Sequence, residues 1–256
     1  MEGNPVNYTD PSGLCGLPGE SPCPPPDRRE NGAVDVPDWW LKQTQLYVDG
    51  LGYFDSGHLD RGWRHAAFFV GQIEAKLNLS IEVKTMLLRS YGGMLPLARA
   101  RSAPSYWVDY AVSESIRDDQ IYGVAYGMLI DFELGYEKYQ SSQDFPFNLS
   151  GFAPADLPSD YLGFWAYING YEKNEIPSLL QCLGEVHVLW GGKLSSVVLD
   201  SYGIAENHEF LPMIKERLHF GTQTFTKTRN IPWPAFLAIQ PIPSGPNTWQ
   251  VWNRSH

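Results

Sequence analysis

The chain has 256 residues, with 29 acidic against 19 basic side chains, a formal net charge of −10 and a pI near 5.0. That balance disfavours recognition of nucleic acid by broad electrostatics, since a nucleic-acid site would need a local basic patch working against a repulsive field. Hydrophobic residues at 43% and aromatics at 14% exclude a wholly disordered chain and supply one sizeable core or two small domains.

The opening MEGNPVNYTD carries neither a basic leader nor an apolar stretch, so no secretion signal is expected in this chain. Eight of the 20 prolines fall between Pro5 and Pro37, and the run Pro24, Pro25, Pro26 leads into Asp27, Arg28, Arg29 and Glu30. Such a stretch reads as an extended linker. Part of the acidity, a net −4, lies in residues 1–37, which leaves −6 for the remainder and keeps a nuclease among the readings. Cys15 and Cys23 lie in the Pro-rich region and Cys182 in an apolar stretch, with no metal-ligand spacing. Cys15 and Cys23 would either pair in an oxidising compartment or stay free, and Cys182 reads as a small core residue.

From Asp38 the composition shifts abruptly, beginning with Trp39 and Trp40, and a folded domain is expected over 38–256. Leu59, Trp63, Ala66, Val70, Ile73 and Leu77 recur at three- and four-residue steps, which predicts an amphipathic helix capped by Asp55 or Ser56. Tyr106 to about Gln140 reads as one long helix or two stacked ones, entered at Pro104. Within it Gly123 and Gly127 form a smooth surface that another element can approach. The longest mostly apolar run, Val124 to Ile130, is far short of the roughly 20 residues that span a bilayer, so no membrane span is expected. Helices are also expected over Asp156–Tyr171, Ile176–Leu183 closed by Gly184, Ser196–Tyr202 and Glu206–Phe220. Thr222–Thr228, Ala235–Ile239 and Trp249–Trp252 are short β-prone runs among prolines. The fold class expected is mainly α (α+β), a helical bundle-like body with a small C-terminal β or extended region behind a Pro-rich linker.

Three constellations could carry chemistry. His58 and His65 are seven residues apart, two helical turns, and project from similar faces with Asp60 nearby; with a carboxylate from another helix they would bind a metal or act as acid and base. The structural alternative has Asp60 pairing with Arg64 at i+4. Glu133 and Glu137, one turn apart, could face a shared site or be solvated beside Lys138. Asp156 and Asp160 could join that site or cap a helix. A shared site requires His58 to lie within about 10 Å of at least one of Glu133, Glu137, Asp156 and Asp160, since proton transfer acts over about 3 Å. Glu185 with His187 and His208 with Glu209 are further pairs without a specific spacing, and there is no HExxH, GxSxG, P-loop or GxGxxG.

Gly3 to Leu14, GNPVNYTDPSGL, resembles the end of the core of bacterial Rhs (YD-repeat) proteins, where a segment like NNPxNYxDPSGL precedes a variable C-terminal domain. The resemblance covers about 12 residues and implies a division into a core remnant at 1–14, a linker at 15–37 and a passenger at 38–256. It places Asp10 at the aspartate of the family's DPxG element, near which the core is cleaved, although the β-cocoon that would carry that cleavage is not in this sequence. The implied partners are the rest of the cocoon and an immunity protein, and the implied setting is delivery as part of a larger bacterial protein. Within the passenger, Phe54–His65 (FDSGHLDRGWRH), Leu134–Gln140 and Phe152–Phe164 (FAPADLPSDYLGF) are similar, in the same order, to an uncharacterised helical bacterial domain. The leading expectation is a toxin-like effector domain, a hydrolase working through His58, Asp60, His65, Glu133, Glu137, Asp156 and Asp160, with or without a divalent metal, on a cell-envelope or small-molecule substrate. The alternatives are a non-enzymatic partner-binding module and a nuclease toxin.

Overall fold

Among the described residues helices stand beside three small antiparallel sheets, a mixed α+β fold rather than a helical bundle. The computed structural model describes residues 22–26, 36–42, 44–77, 85–91, 106–142, 152–191, 206–220 and 223–254. The Gly3–Leu14 segment with Asp10, Cys15 and the helix expected at Ser196–Tyr202 lie outside them. Among the described residues no helix is long and apolar enough to cross a membrane.

A short helix α1 (Asp38–Leu41) leads into the hairpin β1 (Thr44–Val48) and β2 (Gly52–Asp55), which pair with Leu46 opposite Phe54. Helix α2 (Ser56–Leu77) follows without a break. Asp55 caps it as expected, its Oδ1 accepting the N–H groups of Gly57 at 2.6 Å and His58 at 3.1 Å. The expected stripe is inward, with Leu59, Ala66, Val70 and Ile73 buried.

The next stretch corrects the sequence reading. Beyond β3 (Thr85–Tyr91), Trp107–Ser113 forms strand β4 in place of the first part of the long helix. Tyr106, Val108, Tyr110 and Val112 alternate and are all buried, a period of two that a helix cannot satisfy. Only after a 3-10 turn at Asp118–Gln120 does helix α3 (Ile121–Ser142) begin. Helix α4 (Asp156–Ile168) is buried from Asp156 to Ala166, and α5 (Ile176–Leu183) ends at Gly184 as expected. Strand β5 (Val186–Gly191) then joins the edge of β1.

Residues 206–212 are irregular, and Met213–Phe220 is strand β6 rather than an amphipathic helix. Phe210, Met213, Ile214 and Leu218 imitate a helical stripe, but Pro212 lacks the N–H that a helix running through it needs. The Thr-rich β7 (Gln223–Asn230) supplies a full-length partner instead. Ala235–Leu237 is a 3-10 turn rather than a strand, and β8 (Trp249–Arg254) pairs with β4, so the C-terminal run completes a sheet begun in the middle of the chain. The extended segment before it fills the smooth face of α3. Ile242 donates to the Gly123 carbonyl at 2.8 Å, and a Cβ on Gly127 would lie 2.3 Å from the Ile242 oxygen. Asp131 ties these pieces together, accepting from Tyr110 at 2.8 Å and pairing with Arg254.

Two apolar clusters result among the described residues. One gathers Phe69, Tyr110, Met128, Phe132 and Trp249; the other gathers Trp40, Leu46, Phe54, Trp165 and Leu180. Helices α2 and α4 contribute to both, so polar side chains at their mutual crossing are held from two sides.

Cys182 is not a core residue. It is exposed at the end of α5 and forms a disulfide with Cys23, 159 residues earlier, which also excludes the Cys15–Cys23 pairing. Cys23 itself is buried with Trp40, so part of the Pro-rich stretch is docked on the body.

Candidate functional site

Gly62 and Gly163 decide where the site forms. A Cβ on Gly62 would lie 2.1 Å from the Asp160 carbonyl oxygen, and one on Gly163 would lie 2.1 Å from the Leu59 oxygen. Backbones of α2 and α4 therefore touch at this crossing, which only residues without a side chain allow. The second turn of α4 is pressed against the first turns of α2, and α3 closes the third side.

Onto this junction α2 projects His58, Arg61 and His65, spaced three and four apart along one face. His58 has a carboxylate at each ring nitrogen: Asp160 Oδ2 lies 3.1 Å from Nδ1 and Asp156 Oδ1 lies 3.5 Å from Nε2. The Arg61 guanidinium reaches Asp160 at 2.7 Å, Glu133 at 2.9 Å and Glu137 at 3.4 Å, and it stands 5.0 Å above the Tyr136 ring. His65 Nδ1 meets Glu133 Oε1 at 2.6 Å, with its ring edge-on to Phe132. Six of the seven expected residues thus converge, and His58 meets Asp160 and Asp156 directly.

Asp60 is the exception. It points outward to Arg64 and to Lys173 at 3.4 Å, as its i+4 spacing alone would have it. The capping reading of Asp156 is likewise corrected: Ala155 precedes the helix and no side chain caps it. Glu137 is not solvated beside Lys138 but fully buried, like Glu133 and Asp160. Glu185 and His187 are at the surface, where His187 pairs with Asp49 at 3.2 Å, and His208 pairs with Glu206 rather than Glu209.

Supporting residues complete the arrangement. Ser159 Oγ accepts the Asp55 N–H at 2.8 Å and donates to the Ala155 carbonyl at 2.6 Å, pinning α4 to the start of α2. Phe152 adopts φ 63, a left-handed conformation that costs a non-glycine residue about 1–3 kcal/mol, and its N–H donates to Glu137 Oε2 at 2.9 Å. The stretch from Phe152 to Gly163 therefore places Asp156 and Asp160 in the site, Ser159 beneath it and Gly163 at the crossing. Arg61 and Phe152 were not singled out from sequence; Arg61 could have been, as the missing step between His58 and His65.

Electrostatics separates the carboxylates by role. Burial would raise Asp160, but Arg61 and His58 overcome it and hold its carboxyl below the usual range. Asp156 is pushed well above that range by burial, reinforced by Glu137 and Asp55 and only partly opposed by His58. Burial also raises Glu137, against Arg61, His58 and the Phe152 N–H. For His58, burial and Arg61 oppose the charged ring, yet Asp156 and Asp160 outweigh them and raise it to about 10. Its Nδ1 also lies 2.8 Å from the Arg61 guanidinium, so a neutral nitrogen accepts from Arg61 and a protonated one donates to Asp160. The ring can change protonation state without losing its anchor. Two carboxyl groups with opposite shifts therefore flank one histidine.

No protein-family model, no curated protein and no solved structure matches the chain.

Proposed function

We propose that this chain carries a hydrolytic, toxin-like effector domain, displayed at the C-terminus of an Rhs-type protein, with His58 at its reacting centre. The observation that carries the hydrolase reading is the buried histidine with Asp160 at one ring nitrogen and Asp156 at the other. Asp160, kept ionised by Arg61, orients the ring and answers its Nδ1–H. The Nε2 side faces Asp156, a carboxyl that burial has primed to hold a proton. His58 and Asp156 share a proton: when it resides on Asp156 the ring is neutral and acts as a general base or a metal ligand, and Asp156 or Glu137 then exchanges the proton. The delivery setting rests on the Gly3–Leu14 resemblance, and a cell-envelope or small-molecule substrate agrees with the net acidity.

Arg61 gives the non-enzymatic reading its support, because a guanidinium shared by three carboxylates is also what a purely structural network would contain. Expression in bacteria with and without an export signal separates the two. The intact chain is expected to arrest growth in one compartment, and His58→Gln is expected to relieve the arrest at an equal level of folded protein. Growth unaffected by the intact chain in both compartments defeats the effector reading. Arrest that survives His58→Gln places the chemistry elsewhere.

A further inference from the structure

Asp156 is a buried carboxylate with an unanswered acceptor capacity. It is 5% exposed and accepts no hydrogen bond from any described residue, and its one ion pair is the 3.5 Å approach of His58 Nε2. Leaving such a group without donors is costly in a low-dielectric site. Glu137 stands beside it, so that His58, Glu137 and Asp156 each offer a ligand atom within 4.8 Å of the others. Ligands about 2.1 Å from a tetrahedral ion lie about 3.4 Å apart, so a modest inward shift of side chains suffices.

The outer groups match as well. With Nε2 directed inward, His58 Nδ1 donates to Asp160 at 3.1 Å, the carboxylate–histidine arrangement that fixes a ligating imidazole. Glu137 keeps Oε2 on the Phe152 N–H, and its Oε1 accepts from Arg61 only at 3.4 Å, a long contact that an ion would displace. The grouping points the same way: Glu133, Glu137, Asp156 and Asp160, four carboxyl groups, are buried together around one arginine and two histidines.

We propose that His58, Glu137 and Asp156 bind one divalent transition-metal ion, with a fourth position left for water or substrate. One imidazole and two carboxylates suit zinc or manganese better than magnesium or calcium, which prefer all-oxygen sets. An ion there would take the place of the proton on Nε2 and lower the pKa of a bound water, the nucleophile a hydrolase needs at neutral pH. This deepens the hydrolase reading and rests on it for function, though not for binding.

The full chain, stripped with a chelator, is titrated with Zn2+ and separately with Mn2+ by calorimetry, and its metal content is measured after dialysis. The expected result is one ion per chain, with a metal-dependent rise in melting temperature. Asp156→Asn and Glu137→Gln should abolish both while melting cooperatively without metal, and Asp160→Asn should weaken binding about 10- to 100-fold. Absence of saturable binding overturns the proposal. So does binding unchanged in Asp156→Asn, which would assign the ion to the exposed Asp49, Glu185 and His187 group. Growth arrest relieved by His58→Gln in a protein that binds no metal would leave the hydrolase reading standing. Metal bound by a harmless protein would leave the metal site standing alone.

Discussion

At Arg61 a single side chain decides whether the carboxylates around it are tolerable. It is the cation shared by Asp160, Glu133 and Glu137, and all three are shielded from solvent. Replacing it by an apolar residue of similar length strands those charges, which for buried ion pairs costs about 3–5 kcal/mol. Arg61→Met is therefore expected to lose about that much in urea denaturation at pH 8 with chelator present. The pH dependence has a definite sign. In the native protein Asp160 is held low, so its contribution is present above its unfolded value of about 4 and is lost as pH falls through its folded value. Without Arg61 the orphaned carboxyls shift upward, the folded state takes up protons that the unfolded state does not, and stability is regained as pH is lowered. The deficit of Arg61→Met should be smaller at pH 5 than at pH 8. An equal deficit at both would show that Arg61 contributes through its contact with Tyr136 rather than through charge.

Between elements, the α2–α4 crossing turns sequence spacing into a site, and its glycines test this. Gly62→Ala and Gly163→Ala each set a methyl 2.1 Å from a carbonyl oxygen of the other helix. Backbone cannot yield as a flexible side chain would, so each should cost about 1–3 kcal/mol or more and pull Asp160 away from His58. Gly71 lies in the same helix with nothing within 4 Å of a Cβ, and Gly71→Ala should stabilise by about 0.5–1 kcal/mol. Thermal melts of the three variants check the contrast; a uniform response would mean that helix propensity, not the crossing, governs them. The same crossing marks what the sequence could disclose. Six residues of the candidate cluster were legible because helical spacing put them on common faces, and Asp60 was misplaced because i+4 pairing with Arg64 competes on the same helix. The strands β4 and β6 were not legible, since their partners lie far along the chain and local periodicity does not record pairing. Arg61 was hidden by its apparent ordinariness as a surface arginine. Its burial follows from the approach of α3 and α4, which no window around residue 61 contains.

Over the whole molecule, the disulfide ties a segment well before Asp38 to the folded body. Composition alone would start it at Asp38, yet Cys23 is 3% exposed among Trp40, Leu180 and their neighbours, and its carbonyl accepts from Tyr171. Its bond to Cys182 closes a loop spanning 159 residues, which includes α2, α3 and α4. In the chain-entropy account a cross-link of that span destabilises the unfolded ensemble by up to about 5 kcal/mol. Thermal unfolding should therefore fall markedly in reductant, and Cys182→Ser should reproduce the reduced value and show no further response to reductant. The apolar cluster that holds Trp40 and Leu180 would remain, so the reduced protein should still fold, with α2, α3 and α4 in place and the His58–Asp160 contact retained. A protein that unfolds outright on reduction would show the covalent tie to be essential rather than supplementary. One indifferent to reductant would show that the Pro-rich segment is held by burial of the Cys23 region alone, because loss of the cross-link would then release no chain entropy that the native contacts had not already constrained.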